Sequence, residues 1–349
     1  MSTVSRTFSA PGLVNAETRS RVLAAAEQLG YRPNRAARAL ITGRTTNLGV
    51  IVADITNPYF PPMIKAAQSQ ARLHDHHVFV ADTDEDPAVE EELVRTLATQ
   101  VDGLLLCSPR MSGPALEAVA GEVPIVLVNR IVEGIPAVLM DLDAGARQAI
   151  DHLADLGHEQ LAYVGGPATS WTNKELRRAS VSAAKHRGVR LTHLGPFPPN
   201  QVGGQTAAPA VRTSGATGVF AFNDSVAIGL METLRAEGVA VPEQISIVGV
   251  DDIPQAELVR LTTVATPTDE AGRTAVEMLL QRDSGRGSRG GAATRAPVAG
   301  HRSLPTSLVV RASTAPPPPT TPAPRSGGRS RARAHDTDRR AGDDLTARV

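Results

Sequence analysis

Between residues 48 and 251 short apolar runs alternate with longer stretches in which apolar positions recur every three or four residues. The runs fall at 48–52, 77–80, 103–106, 125–128, 137–140, 160–164, 218–222 and 245–250. They lack the alternation of a half-solvated strand, so they predict strands buried on both faces, and the segments 58–72, 87–99 and 144–156 predict crossover helices. This is a parallel α/β pattern. It holds more strands than one small doubly wound sheet needs, and a natural division near Asp141 gives two similar lobes. A last strand is predicted at 307–311, after a Gly-, Ala- and Arg-rich loop at 284–300.

The ends of the chain read differently. At 15–29, Asn15 is a good N-cap, Glu17 lies in the positive first turn, Val22, Ala26 and Leu29 keep helical spacing, and Gly30 stops the helix. Residues 2–8 can form a shorter helix with Val4 and Phe8 on one face, and Pro33 opens a third short segment ending at Leu40. Residues 315–349 begin with prolines, continue with Arg, Gly, Ser and Asp, and predict a disordered tail.

Composition adds three constraints. A chain of 349 residues with 41% hydrophobic content can build two or three domains with proper cores. The net charge of zero is a cancellation: residues 1–45 carry seven Arg against two Glu, residues 46–314 carry 22 basic against 30 acidic, and residues 315–349 carry seven Arg against four Asp. A basic head on an acidic body points to a polyanion-binding module attached to something else. The single cysteine, Cys107, excludes an intrachain disulfide, and neither a signal-peptide pattern nor a membrane-length apolar run is present, so a cytoplasmic protein without membrane contact is expected.

The head carries Thr3-Val4-Ser5-Arg6, Asn15-x-x-Thr18-Arg19, Leu29-Gly30-Tyr31-x-Pro33-Asn34 and Ala36-x-x-x-Leu40. The body continues with Asn57-Pro58-Tyr59-Phe60, Asp102-Gly103-Leu104, Gly157-His158, Gly166-Pro167, Asn223-Asp224, Gly249-Val250-Asp251-Asp252 and Leu304-Pro305. In order and spacing these segments resemble regulators of the lactose/galactose repressor family over residues 1 to about 314. The resemblance implies an α/β, periplasmic-binding-protein-like fold of two parallel-sheet lobes, a small N-terminal all-α DNA-binding head and a disordered C-terminal tail. It divides the chain into a head and hinge helix at 1–45, an effector-binding body at 46–314 and the tail at 315–349. The N-lobe would comprise about 46–141 plus 269–300, and the C-lobe about 142–268 plus 301–314.

The same resemblance implies roles. In that family a recognition helix enters the major groove, and hinge helices from two subunits wedge a leucine into the minor groove. Ser2 and Arg6 would approach base edges; Thr3, Ser5, Asn15, Thr18, Tyr31 and Asn34 would hold phosphates; Ala37 would let paired hinge helices approach, with Leu40 the wedge. The chain opens inside what resembles the recognition helix, so a scaffold helix is expected upstream, with Met1 internal to the natural product. The implied partners are double-stranded operator DNA, a second copy of the chain and a small effector, most simply a sugar. No cofactor or metal is expected.

Ligands of open parallel sheets bind beyond the carboxyl ends of the strands. Five of the ten aromatics, Tyr59, Phe60, Trp171, Phe220 and Phe222, collect there, where flat faces suit a sugar or purine, although core packing accounts equally well for Phe220 and Phe222. Asn223, Asp224 and Asp251 supply polar groups for hydroxyls. By resemblance the effector pocket would take in Tyr59, Phe60, Arg130, Ser170, Trp171, Thr172, Phe220, Asn223 and Asp251. Leu176 stands where the family usually places an effector-binding arginine, and helical geometry turns Arg177 about 100° away.

Other classes find less support. Gly285-x-Gly287-x-x-Gly290 matches the dinucleotide fingerprint but has neither a strand before it nor a helix after it. The acidic stretches 82–86 and 90–92 read as a solvated loop and helix start, and Cys107 as a small buried hydrophobe. His74, His76 and His77 sit on a helix-to-strand connection that would point them apart. No hydrolase, zinc-protease or phosphate-loop motif appears, so an enzyme is not expected. The alternative is a sugar-binding protein of the same fold without effective DNA binding, for which a basic hinge ending in Leu40 has no use.

Overall fold

The computed structural model of the chain describes residues 3–9, 11–31, 44–284 and 300–319. Ser2, Asn34, Ala37 and Leu40, the glycine fingerprint at 285–290 and the tail beyond 319 lie outside the described residues, as does the side chain of Ser5. The head consists of α1 (Thr3–Ser9), a 3-10 turn at Pro11–Leu13 and α2 (Ala16–Gln28). The predicted cap is present: Asn15 Oδ1 accepts from Thr18 N at 2.8 Å, and Gly30 ends the helix in the left-handed region. Phe8 and Tyr31 close the head with ring centroids 5.9 Å apart.

The body begins with β1 (Asn47–Val52), β2 (His77–Asp82), β3 (Gly103–Cys107), β4 (Ile125–Val128) and β5 (Ala137–Met140). Between them run α3 (Phe60–Leu73), α4 (Pro87–Ala98) and α5 (Gly113–Glu122). Asp86 and Ser112 cap α4 and α5, each just ahead of a proline in the first turn that is preset for helical φ. After Asp141 the chain repeats the scheme with α6 (Leu142–Asp155), β6 (Gln160–Val164), α7 (Trp171–Arg187), β7 (Arg190–Leu194), α8 (Gln201–Ser214) and β8 (Gly218–Ala221). It continues through α9 (Asp224–Ala236), β9 (Ser246–Asp251), α10 (Pro254–Leu258), β10 (Thr262–Ala265), α11 (Thr268–Ser284), β11 (His301–Leu304) and β12 (Ser307–Val309).

These strands form two six-stranded sheets, ordered β11-β5-β4-β3-β1-β2 and β12-β10-β9-β8-β6-β7. All pairs are parallel except β10 with β12. The two-lobed fold is therefore present, with one change in its partition. His301 pairs with Ala137 and Leu304 with Met140, so 301–304 completes the first sheet and the return to the second lobe falls at Pro305–Thr306.

The chain thus crosses between lobes three times, and two of the crossings are tied together. Asp141 N donates to Leu304 O at 2.8 Å, and Thr306 Oγ1 donates to Asp141 O at 2.8 Å. The third, between β10 and α11, lies beside the end of β9, where Thr266 Oγ1 donates to Asp251 O at 3.3 Å. Helix α11 returns to the first lobe and packs closely on α3: a Cβ on Gly272 would stand 2.3 Å from Met63 O.

Two further expectations change. The loop-and-helix start at 82–92 is not uniformly solvated, because Glu90 is buried and accepts from Arg110 N and Met111 N. The first residue of the expected tail is anchored instead: Ala315 O accepts from Ser246 Oγ at 2.9 Å, next to Ser313 of the body, whose Oγ donates to Ile247 O at 2.6 Å. Buried His158 joins this clasp, with Nε2 3.0 Å from Ala315 O and Nδ1 2.8 Å from Thr217 Oγ1.

Candidate functional site

The carboxyl ends of the central strands of both sheets face one cleft. From the first lobe it is lined by Asn57, Tyr59 and Phe60 after β1, Glu85 after β2, Ser108 and Arg110 after β3, and Asn129 after β4. The second lobe supplies Ser170 and Thr172 at the start of α7, Pro199, Phe222, Asn223 and Asp251, while Thr266 comes from a crossover.

Tyr59 is 6% exposed, and its hydroxyl accepts from Asn129 Nδ2 at 2.8 Å. Burial, reinforced by the charge of Asp251, raises its pKa well above the usual phenol value. The phenol therefore stays neutral and keeps a proton to donate. Phe60 meets it edge-on at 5.1 Å. Ser108 and Asn129, the residues just past β3 and β4, both adopt positive φ, 54° each, which turns the chain sharply at the cleft floor.

Asp251 also has positive φ, 115°, at the end of β9. Burial, and then repulsion from Asp224, pushes its pKa well above the usual carboxylate range. Asp224 lies behind it, fully buried, with Oδ2 accepting from Ile253 N at 2.9 Å and Oδ1 accepting from Thr263 Oγ1. Ser170 and Asn223 cap α7 and α9: Ser170 Oγ accepts from Asn173 N, and Asn223 Oδ1 accepts from Val226 N while its Nδ2 donates to Pro199 O at 2.8 Å. Thr172 Oγ1 is buried without a protein partner. An unpaired hydroxyl in a cleft wall is what a polar ligand would satisfy.

Of the nine effector candidates, Tyr59, Phe60, Ser170, Thr172, Asn223 and Asp251 meet in this cleft. Three do not line it. Phe220 lies inside β8, fully buried, with its ring 5.8 Å from that of Tyr163; Phe222, two residues on and past the strand end, takes the cleft position. Trp171, at the start of α7, packs against the core, a placement open to the first residue of a helix whose cap faces the cleft. Arg130 follows Asn129 but lies outside the lining; its Nε is buried without a partner, burial lowers its pKa, and Glu90 opposes that shift. Leu176 is buried and Arg177 is exposed, as helical geometry requires.

Sequence reasoning missed Glu85, Ser108, Arg110 and Asn129. Glu85 and Asn129 follow apolar runs by the same rule that found Tyr59, so their positions were available. Arg110 carries no such signal, because its role depends on Glu85, 25 residues away in sequence.

In the head, Thr3 and Arg6 are exposed on α1, Tyr31 is 52% exposed and Thr18 is half-buried. Asn15 has its Oδ1 committed to the cap, which leaves Nδ2 for any phosphate. Cys107 is buried with its thiol pushed up to about 12, and among the described residues no cluster of metal-ligating side chains occurs. No helix there is long and apolar enough to cross a membrane.

A polar cleft between two crosslinked lobes, preceded by a small basic helical head, defines a ligand-responsive DNA-binding regulator. Comparison with known proteins agrees. Residues 1–34 match bacterial regulatory proteins of the lacI family, and residues 150–314 match the periplasmic binding protein-like domain. The chain is 32% identical over 295 residues to the HTH-type transcriptional regulator GalS of Salmonella typhimurium (strain LT2), covering 82% of this chain and 87% of that protein. Its fold superposes on a lac repressor dimer bound to operator and the anti-inducer ONPF with a TM-score of 0.78 and 26% identity, covering 90% of this chain and 94% of the other. It also superposes on a LacI family transcriptional regulator from Enterococcus faecalis V583 with bound ribose, with a TM-score of 0.67 and 29% identity over 77% of this chain and 99% of that one. The chain belongs to the lacI family of bacterial regulatory proteins.

Proposed function

We propose that the protein is a cytoplasmic repressor that, as a homodimer, grips an inverted-repeat operator and changes its affinity when a sugar occupies the cleft. The observation that carries this reading is a cleft lined from both lobes by hydroxyl, amide and carboxylate groups with Tyr59, Phe60 and Phe222 beside them. Ribose in the Enterococcus faecalis relative supports the ligand class, and the operator-bound lac repressor dimer supports the assembly.

Within this reading, closure of the lobes on the effector shifts the first lobes of the two subunits and hence the spacing of the paired heads. Thr3, Arg6, Asn15, Thr18 and Tyr31, with Ser2, Ser5 and Asn34, face DNA, and Ala37 and Leu40 serve the hinge. Tyr59, Thr172 and Asp251 contact the sugar directly, and Asn223 and Ser170 hold the helix starts that frame it. In a binding assay on inverted-repeat fragments, affinity is expected to fall steeply with salt and to change on adding a sugar. The sugar must bind more tightly or weakly by the same factor when operator is present. A protein that binds sugar but shows no sequence preference defeats the proposal.

Two substitutions test the roles. Arg6→Ala is expected to cost about 1–3 kcal/mol of discrimination at one operator position, read by competition between base-substituted fragments. Asp251→Ala is expected to weaken sugar binding about 10- to 100-fold by calorimetry, the worth of hydrogen bonds to a carboxylate.

A further inference from the structure

The first-lobe wall of the cleft contains an ion pair, and its geometry bears on what charge the ligand can carry. Arg110 is 7% exposed. Its Nε donates to Glu85 Oε2 at 2.6 Å, one terminal nitrogen donates to Glu85 Oε1 at 2.9 Å, and the other donates to Ser108 O at 2.5 Å. Both side chains line the cleft. The forked edge of a guanidinium is the group best suited to grip a phosphate or carboxylate, and here Glu85 already occupies it.

The arrangement is fixed on both sides. Glu85 sits at φ 63° with its amide donating to Ala53 O at 2.6 Å, and the Arg110 and Met111 amides donate to buried Glu90. Among the described residues, Arg110 is the one cation that lines the cleft. Asp251 faces the cleft from the second lobe with Asp224 behind it, and Asp252 is held by Arg311 at 2.7 Å. Arg130, whose buried Nε has no protein partner, lies outside the lining. Buried ion pairs add little stability over apolar residues of similar size, so stability gives no reason for placing one at a ligand cleft.

We infer that the Glu85–Arg110 pair sets the charge class of the effector, admitting a neutral polyol and rejecting its phosphorylated or carboxylated counterpart. This rests on the sugar reading above and refines it. Hydroxyls donate to Glu85 and face Asp251 across the cleft, whereas an added anionic group meets the Glu85 carboxylate and a guanidinium already engaged.

The test is calorimetry on the full chain with three matched pairs: D-ribose and ribose 5-phosphate, D-glucose and glucose 6-phosphate, and D-galactose and galacturonate. The protein is expected to bind at least one neutral member, with its anionic counterpart at least about 100-fold weaker, the scale of a like-charge clash. Glu85→Gln is expected to release Arg110 and narrow that gap at least about tenfold by tightening the anion. Glu85→Gln combined with Arg110→Met is expected to lose the gain. Should Glu85→Gln fail to fold, Arg110→Met alone is expected to widen the gap by leaving Glu85 unpaired. Equal affinity for a neutral sugar and its anionic partner overturns the inference, as does a folded Glu85→Gln or Arg110→Met with the original ratio. Binding of no sugar, neutral or anionic, instead defeats the reading on which the inference rests.

Discussion

Asp224→Ala is expected to cost about 3 kcal/mol of stability, measured by urea unfolding, because the buried Ile253 amide and Thr263 hydroxyl would both lose their acceptor. Its functional effect follows from position. Asp251 and Asp252 both hold positive φ, a region that residues with a Cβ enter at a cost, and Asp224 fastens the next residue from below. On the proposed reading, Asp224 acts on the effector through Asp251, as a positioning residue. Asp224→Ala is expected to weaken sugar binding, and Asp224→Asn, which keeps one acceptor, to recover part of it.

The same carboxyl adds a pH signature. Burial pushes Asp224 up to about 7, against an ordinary value near 4 in the unfolded chain. A group whose folded-state pKa is the higher one keeps its proton in the native protein while the unfolded chain releases it. Its contribution therefore favours folding least once pH has risen from about 4 through about 7. The difference in unfolding free energy between the protein and Asp224→Asn is expected to change across that interval and to level off above it. A flat difference from pH 4 to pH 8 shows that Asp224 titrates normally.

Gly204→Val is expected to cost about 3 kcal/mol or more and to lower soluble yield. Helices α8 and α9 cross backbone to backbone: a Cβ on Gly204 would lie 2.1 Å from Val226 O, and one on Gly229 would lie 2.1 Å from Gln201 O. Backbone cannot yield as a flexible side chain can, so the helices must separate. Gly121→Ala in α5 is the control, since nothing lies within 4 Å of the added methyl. It is expected to be neutral or to stabilise by up to about 1 kcal/mol.

The strands differ in how plainly the chain announces them. Strands such as β3 and β4 announce themselves because every residue is buried and apolar. Strands β7 and β11 do not: one is Arg-Leu-Thr-His-Leu, the other His-Arg-Ser-Leu, and both stand at sheet edges where polar side chains reach water. β10 is short and threonine-rich, with Thr262 and Thr263 buried because their hydroxyls bond to Thr314 and Asp224. Tyr59 and Asp251 were legible because one lies in the loop that follows an apolar run and the other directly follows one. Phe220 misled because positions near a strand end look alike in sequence, while Phe220 lies inside β8 and Phe222, past its end, reaches the cleft. The Glu85–Arg110 pair was hidden because charged residues in a loop read as solvated until the fold brings the ends of β2 and β3 together.

The paired crossings at Asp141 and Thr306 have a mechanical meaning. Two peptide strands bonded side by side, with a third near the end of β9, resist twist and shear between the lobes and leave bending as the soft mode. On the proposed reading, a molecule lodged anywhere along the cleft then drives the same displacement, so one output can serve different inputs. Thr306→Val, at a residue outside the cleft lining, removes the bond that keeps two of those strands in step.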